Sequence, residues 1–373
     1  MEKRIFFSQK APRTPAGSAD CSASGHSELR RSARRTLVGI ASRCIFGAVC
    51  AVCLVGFPTH ISGQESTSVF NFLNLPVSSH STALGGRNIS LIEDDITLAA
   101  QNPALLSGVS DRTMGLNFMS YMKGCKAGSA AYTQIAGERG TWGAHAQFVG
   151  YGLMKETLAT GEVVGDMHAL DMCLSGMYSY ALSDRWVGGA TGKFIYSHYG
   201  EFTSCALAVD LGLNYFLEED DFSLSAAARN LGGQVKAFGD HHERLPFDLE
   251  VGFTKGLAHA PVAISLTMAD LTRWRKNDFY HNGRSMSSGR MLMNHLCLGV
   301  DLHPSRLFYL AAGYNFRRAY EMKAAGSSHA AGLSFGAGLQ LKHTKVGLAY
   351  AKYHLSAPTF SLSLAYTINK KKQ

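Results

Sequence analysis

The chain has 373 residues, of which 17% are charged and 10% aromatic, with 39 glycines but only 9 prolines. Soluble proteins average roughly 25% charged residues, so this chain is charge-poor without being strongly apolar, as suits a surface partly given over to lipid. The net charge of +8 belongs mostly to residues 1–63, which hold nine Lys/Arg and three acids; the remaining 27 basic and 25 acidic residues carry no signature of nucleic-acid binding.

In chain order, residues 1–63 read as an export leader. Arg30, Arg31, Arg34, Arg35 and Arg43 precede the apolar run Cys44–Phe57, Pro58 breaks it, and "ISGQ" offers cleavage after Gly63. A 14-residue apolar run fits a signal better than a membrane span, which needs about 20 residues. An uncleaved anchor is the alternative.

Residues 64–110 show neither helical nor alternating periodicity, yet are too apolar for a linker. Gly85-Gly86 allows a tight bend with positive φ. Asn102-Pro103, followed by Ala104, makes a rigid turn. Glu93, Asp94 and Asp95 are expected either to pair with Lys193 or Arg229, or to cap a short "ITLAAQ" helix at its positive end. A solvated acidic turn is the plainer alternative.

From residue 111 to 369 the pattern has period two. Cys205, Leu207, Val209, Leu211 and Leu213 alternate with Ser204, Ala206, Ala208, Asp210 and Gly212. Such alternation predicts strands, at 114–122, 126–136, 141–150, 168–182, 185–198, 202–217, 221–230, 246–257, 261–273, 293–303, 306–316, 330–341, 344–354 and 358–368. Alternate links are tight turns. The other set contains every long connection: 151–167, 231–245, 274–292 and 317–329. Tight turns on one side and long loops on the other are the pattern of an outer-membrane barrel. The fold class is therefore all-β: a transmembrane barrel of about 14 antiparallel strands, with 64–110 as a plug in a lumen that strand side chains alone cannot fill. A soluble sandwich is the alternative. His145, Gln147, Asp171, Lys193, Asp210, Asn214, Arg229, Asp301 and Asn315 are assigned to the inner face.

The loops carry the remaining candidates. "RWRKND" places Trp274, Arg275 and Lys276 at a membrane interface, where an amphipathic Trp is expected and the cations suit lipopolysaccharide phosphate. Tyr280 and Arg284 are candidate anchors for a protein partner. His241, His242 and Glu243 are adjacent, so their side chains diverge and a solvated loop is the better reading than a metal site. Cys125, Cys173, Cys205 and Cys297 are widely spaced and read as single thiols rather than a disulfide scaffold. Neither a nucleophile elbow nor a phosphate loop nor a HExxH pair occurs, so no catalytic residue, cofactor or metal ligand is assigned.

"TALGG", the acidic pair and "NPALL" resemble the N-terminal hatch of the FadL family of outer-membrane proteins. "FLNLPVSSHSTALGG", "GKFIYSHYGEFTSCALAVDLGLNY", "ARNLGGQVKAF", "RLPFDLEVGFTKGLAHAP" and "DLTRW" are similar, within that group, to the PorQ branch of the type IX secretion system of Bacteroidota; the sister PorV branch opens differently. The resemblance implies a non-enzymatic outer-membrane component that holds a PorZ-like surface protein beside PorU and PorV. A channel for small hydrophobic molecules is the alternative.

Overall fold

The computed structural model describes residues 68–122, 124–157, 160, 162–275, 278–279, 286–324, 331–353 and 357–369. The leader lies outside them, as do Lys276, Tyr280 and Arg284. The described residues from 111 onward form fourteen strands. They are β1 (Asp111–Met122), β2 (Cys125–Ala136), β3 (Gly140–Thr157), β4 (Val163–Ala181), β5 (Trp186–Tyr199), β6 (Phe202–Leu217) and β7 (Phe222–Lys236). Then come β8 (Asp248–Gly256), β9 (Val262–Met268), β10 (Leu296–Ser305), β11 (Phe308–Asn315), β12 (Leu333–Gln340), β13 (Thr344–Ala351) and β14 (Thr359–Asn369).

Each strand pairs antiparallel with its neighbours in sequence, and β1 pairs with β14 from Asp111↔Asn369 to Ser120↔Phe360, closing the ring. Closure leaves the ring no open seam, which a sheet in hydrocarbon cannot tolerate. No helix among the described residues is long and apolar enough to cross a membrane.

The two faces of the wall follow the alternation. Leu116, Leu174, Phe194, Leu207 and Leu364 point out and are exposed, while Asn117, Ser175, Lys193, Ala208 and Ala365 point in. His145, Gln147, Asp171, Lys193, Asp210, Asn214, Arg229 and Asp301 are buried on the inner side. The four cysteines are free thiols.

Two predicted connections are corrected. Residues 151–167 are mostly strand: β3 and β4 stay paired from Leu153↔His168 to Thr157↔Val163, after a bulge that follows Gly150. Residues 231–236 likewise continue β7, paired with β6 up to Cys205↔Lys236. In both places charged and glycine residues masked a ladder that runs past the apolar band. The other two long connections contain the short helices α3 (Ser288–Asn294) and α4 (Phe316–Ala324), and β9 stops at Met268, leaving Trp274 and Arg275 in the loop.

Candidate functional site

The candidate site is the contact between residues 68–110 and the inner wall. The segment holds a 3₁₀ turn at Asn71–Asn74, then α1 (Ser79–Ala83), α2 (Ile96–Ala99) and a second 3₁₀ turn at Pro103–Gly108. None is long enough to be stable in water alone, so tertiary contacts must hold them. Phe70, Phe72 and Leu73 are buried with Met119, Val149 and Ile195 of the wall. Gln147 Nε2 donates to the Phe72 carbonyl and Arg229 Nη2 to that of Leu73, each at 3.2 Å.

α1 brings His80 against the wall. Its Nδ1 lies 2.7 Å from Glu93 and its Nε2 2.6 Å from Asp301, while the ring stacks on Tyr309 at 4.2 Å. Lys345 of β13 also contacts Glu93, and lies 3.5 Å from Asp95. Burial alone would lower the proton affinity of His80. Glu93 and Asp301 outweigh it and raise the imidazole well above its ordinary value. Glu93 is also buried, but His80 and Lys345 outweigh that cost and hold its carboxyl well below the usual carboxylate range.

The chain then bends at Gly85 (φ 92°) and Gly86 (φ 87°), a conformation that excludes most side chains. Gly85 N donates to Ser334 Oγ at 2.9 Å, and its carbonyl accepts from Asn315 Nδ2 at 3.2 Å. The bend lies so close to β11 that a Cβ at Gly313 would sit 2.2 Å from Gly85 N. Arg87 next reaches Asp248 and Glu250, and Glu250 also meets Arg229 at 3.2 Å.

The acidic cluster does not meet the wall cations proposed for it. Lys193 pairs with Asp210 at 2.5 Å and Arg229 with Glu250. Both wall cations are neutralised by wall carboxylates, so neither attracts the segment's acids. Asp94 instead accepts from Ser110 N and Oγ, both at 2.7 Å. Asp95 caps α2, accepting from Thr97 N at 2.9 Å, which is the capping alternative. Asn102 caps the second 3₁₀ turn through Ala104 N at 3.0 Å, with Pro103 in the first turn, and donates to the Ile89 carbonyl at 2.8 Å.

The loop candidates lie apart from this contact. Trp274 is 51% exposed, and its ring lies 4.2 Å from that of His295. Arg275 N donates to Asp278. His241, His242 and Glu243 are exposed, and the described residues hold no cluster of three metal-ligating side chains.

His80, Arg87, Glu250 and Lys345 were absent from the sequence candidates. Glu250 and Lys345 did carry a signal, a charge in the inward register among small residues. His80 and Arg87 carried none, because nothing in an aperiodic segment says which side chain reaches which strand. Chemically, the arrangement is a set of polar latches between a non-repetitive segment and a rigid wall. Between Leu73, Gln101, His145, Lys193 and Arg229 a cavity of ≈ 20 Å³ remains, room for about one water.

The sequence matches no family model and no curated protein. Solved structures do match. The P. putida toluene transporter TodX aligns with 12% identity over 81% of this chain and 100% of its own, at a TM-score of 0.51. The monoaromatic hydrocarbon channel CymD aligns with 12% identity over 79% of this chain and 98% of its own, at 0.52. A Pseudomonas aeruginosa FadL homologue aligns over 79% of this chain and 98% of its own, with 12% identity, at 0.48. At such identity the likeness is one of architecture, and the chain is a closed 14-strand antiparallel barrel with the fold seen in TodX and CymD.

Proposed function

We propose that the protein is an outer-membrane passage for small hydrophobic molecules, stopped at rest by residues 68–110. The observation that supports this is the agreement of its barrel, over 81% and 79% of the chain, with a toluene transporter and a monoaromatic hydrocarbon channel. The tight-turn rim then faces the periplasm and the rim with longer connections faces outward. The stopper can move without opening the wall. Among the described residues it adds no strand to the ring: it meets the wall by side-chain hydrogen bonds and by close backbone packing, as at Gly313, and its isolated bridge, Ser68↔Arg244, joins the connection between β7 and β8.

A disulfide staple tests the reading. A Cβ built at Gly347 of β13 would lie 3.6 Å from Ser79 Cβ in α1, within the range a disulfide spans. In cells carrying S79C/G347C, oxidation is expected to abolish toluene uptake and reduction to restore it. Uptake indifferent to the staple sinks the passage.

A second reading is attachment within a type IX secretion system, holding a PorZ-like protein beside PorU and PorV, with lipopolysaccharide against the outer loops. Its support is the sequence resemblance alone. Deleting 274–292 is expected to release a surface protein and spare toluene uptake if attachment is the function. If passage is the function, uptake changes and no surface protein is lost. Membrane pull-down and an uptake assay separate the two.

A further inference from the structure

The ribbon formed by the upper ends of β3 and β4 has an unused edge on each side. Pairing of β3 with β2 ends at Lys126↔Gly150, and pairing of β4 with β5 begins at Ala169↔Tyr199. Among the described residues, 153–157 and 163–167 therefore bond only to each other. A lone two-stranded ribbon is marginal in water, and an exposed row of backbone donors and acceptors is a template for another strand. This ribbon also exposes Leu153 (61%), Val163 (53%) and Val164 (52%).

Lipid does not cover it. The ten steps from residue 140 to 150 already rise about 25 Å at ~3.3 Å per residue and a tilt near 40°. That spans an apolar band of about 25 Å, so the ribbon stands above it. A second copy in the same membrane does not fit either. A copy related by a two-fold along the membrane normal brings its β4 across this one at about 80°, twice the strand tilt. A copy translated alongside would overlap the barrel body, because the ribbon is only about 10 Å wide.

We propose that this ribbon is a docking edge for an extended segment of a different, extracellular protein, which adds a third strand. Its charge selects the partner's chemistry. Lys155 lies opposite Asp166 in the ladder, leaving Glu156 and Glu162 exposed and unopposed by a ribbon cation. The segment it takes is therefore β-branched or apolar at alternate positions and carries Lys or Arg. The inference rests on the outer-membrane orientation proposed above but not on what crosses the lumen.

The test uses the full protein in the outer membranes of its own cells. Hydrogen exchange of amides 153–157 and 163–167 is expected to be at least about tenfold slower there than in purified, detergent-held protein. Photo-crosslinking residues placed in turn at 153, 155 and 164 are expected to join neighbouring residues of one basic segment in constant register. Glu156→Lys with Glu162→Lys is expected to cut that yield about tenfold. Replacing 154–167 by Asn-Gly, which links the opposed residues Leu153 and His168, should abolish the protection-bearing adduct and leave toluene uptake unchanged. Equal exchange in both settings overturns the proposal. So do adducts to lipid alone, to a second copy, or to many polypeptides without register. Because the staple experiment reads uptake and this one reads edge protection, failure of either is distinguishable.

Discussion

Single residues decide how closely the segment approaches the wall. Gly313 faces the backbone of Leu84 and Gly85, which has no rotamer to escape into. Gly313→Ala is expected to push the double-glycine bend away and cost about 1–3 kcal/mol. Gly233→Ala on β7, where an added Cβ meets nothing within 4 Å, should be near neutral. The folded-to-unfolded shift of barrel mobility on heating compares the two. At this scale the sequence is legible where alternation speaks: the period-two pattern predicts Asp171, Lys193 and Asp210 inward, and they lie there. It was illegible for pairings. Lys193 and Asp95 are far apart in the chain, and only the ring's register shows that Asp210 reaches Lys193 first.

Among elements, α1 is the one whose hold depends on protons. His80 faces Glu93 from its own segment, Asp301 from β10, Tyr309 from β11, and Lys345 beyond Glu93 on β13. A raised histidine stabilises fully below its unfolded value of about 6.5 and loses that stabilisation as pH climbs through the raised one. The depressed Glu93 acts oppositely, stabilising above about 4.3 and failing as pH falls through its lowered value. Protection of amides 79–84, corrected for intrinsic exchange, is therefore expected to peak near pH 6 and decline in alkali. His80→Gln should remove the alkaline decline and cost about 3–5 kcal/mol at pH 6, because it leaves two carboxylates facing each other without a cation between them. Strand ends were the least legible elements. The sequence pattern predicts that β3 stops at 150, but it runs to Thr157, because its upper part faces water on both sides and loses the alternation that marks the lower part.

At the scale of the whole ring, the outward face is apolar and exposed while the inward face is small or polar and buried against residues 68–110. Leu364→Arg, outward on β14, is expected to cost about 2–4 kcal/mol near mid-depth. Ala365→Ser, inward on the same strand, should cost little; denaturant titration in bilayers compares them. Fourteen strands and their order followed from the period-two pattern, because each strand pairs with its sequence neighbour and needs no crossover. The closure of β1 on β14 carries a temporal consequence. β1 and β14 come from opposite ends of the barrel sequence yet pair from Asp111↔Asn369 to Ser120↔Phe360, so the hoop cannot shut before the carboxy-terminal stave is present.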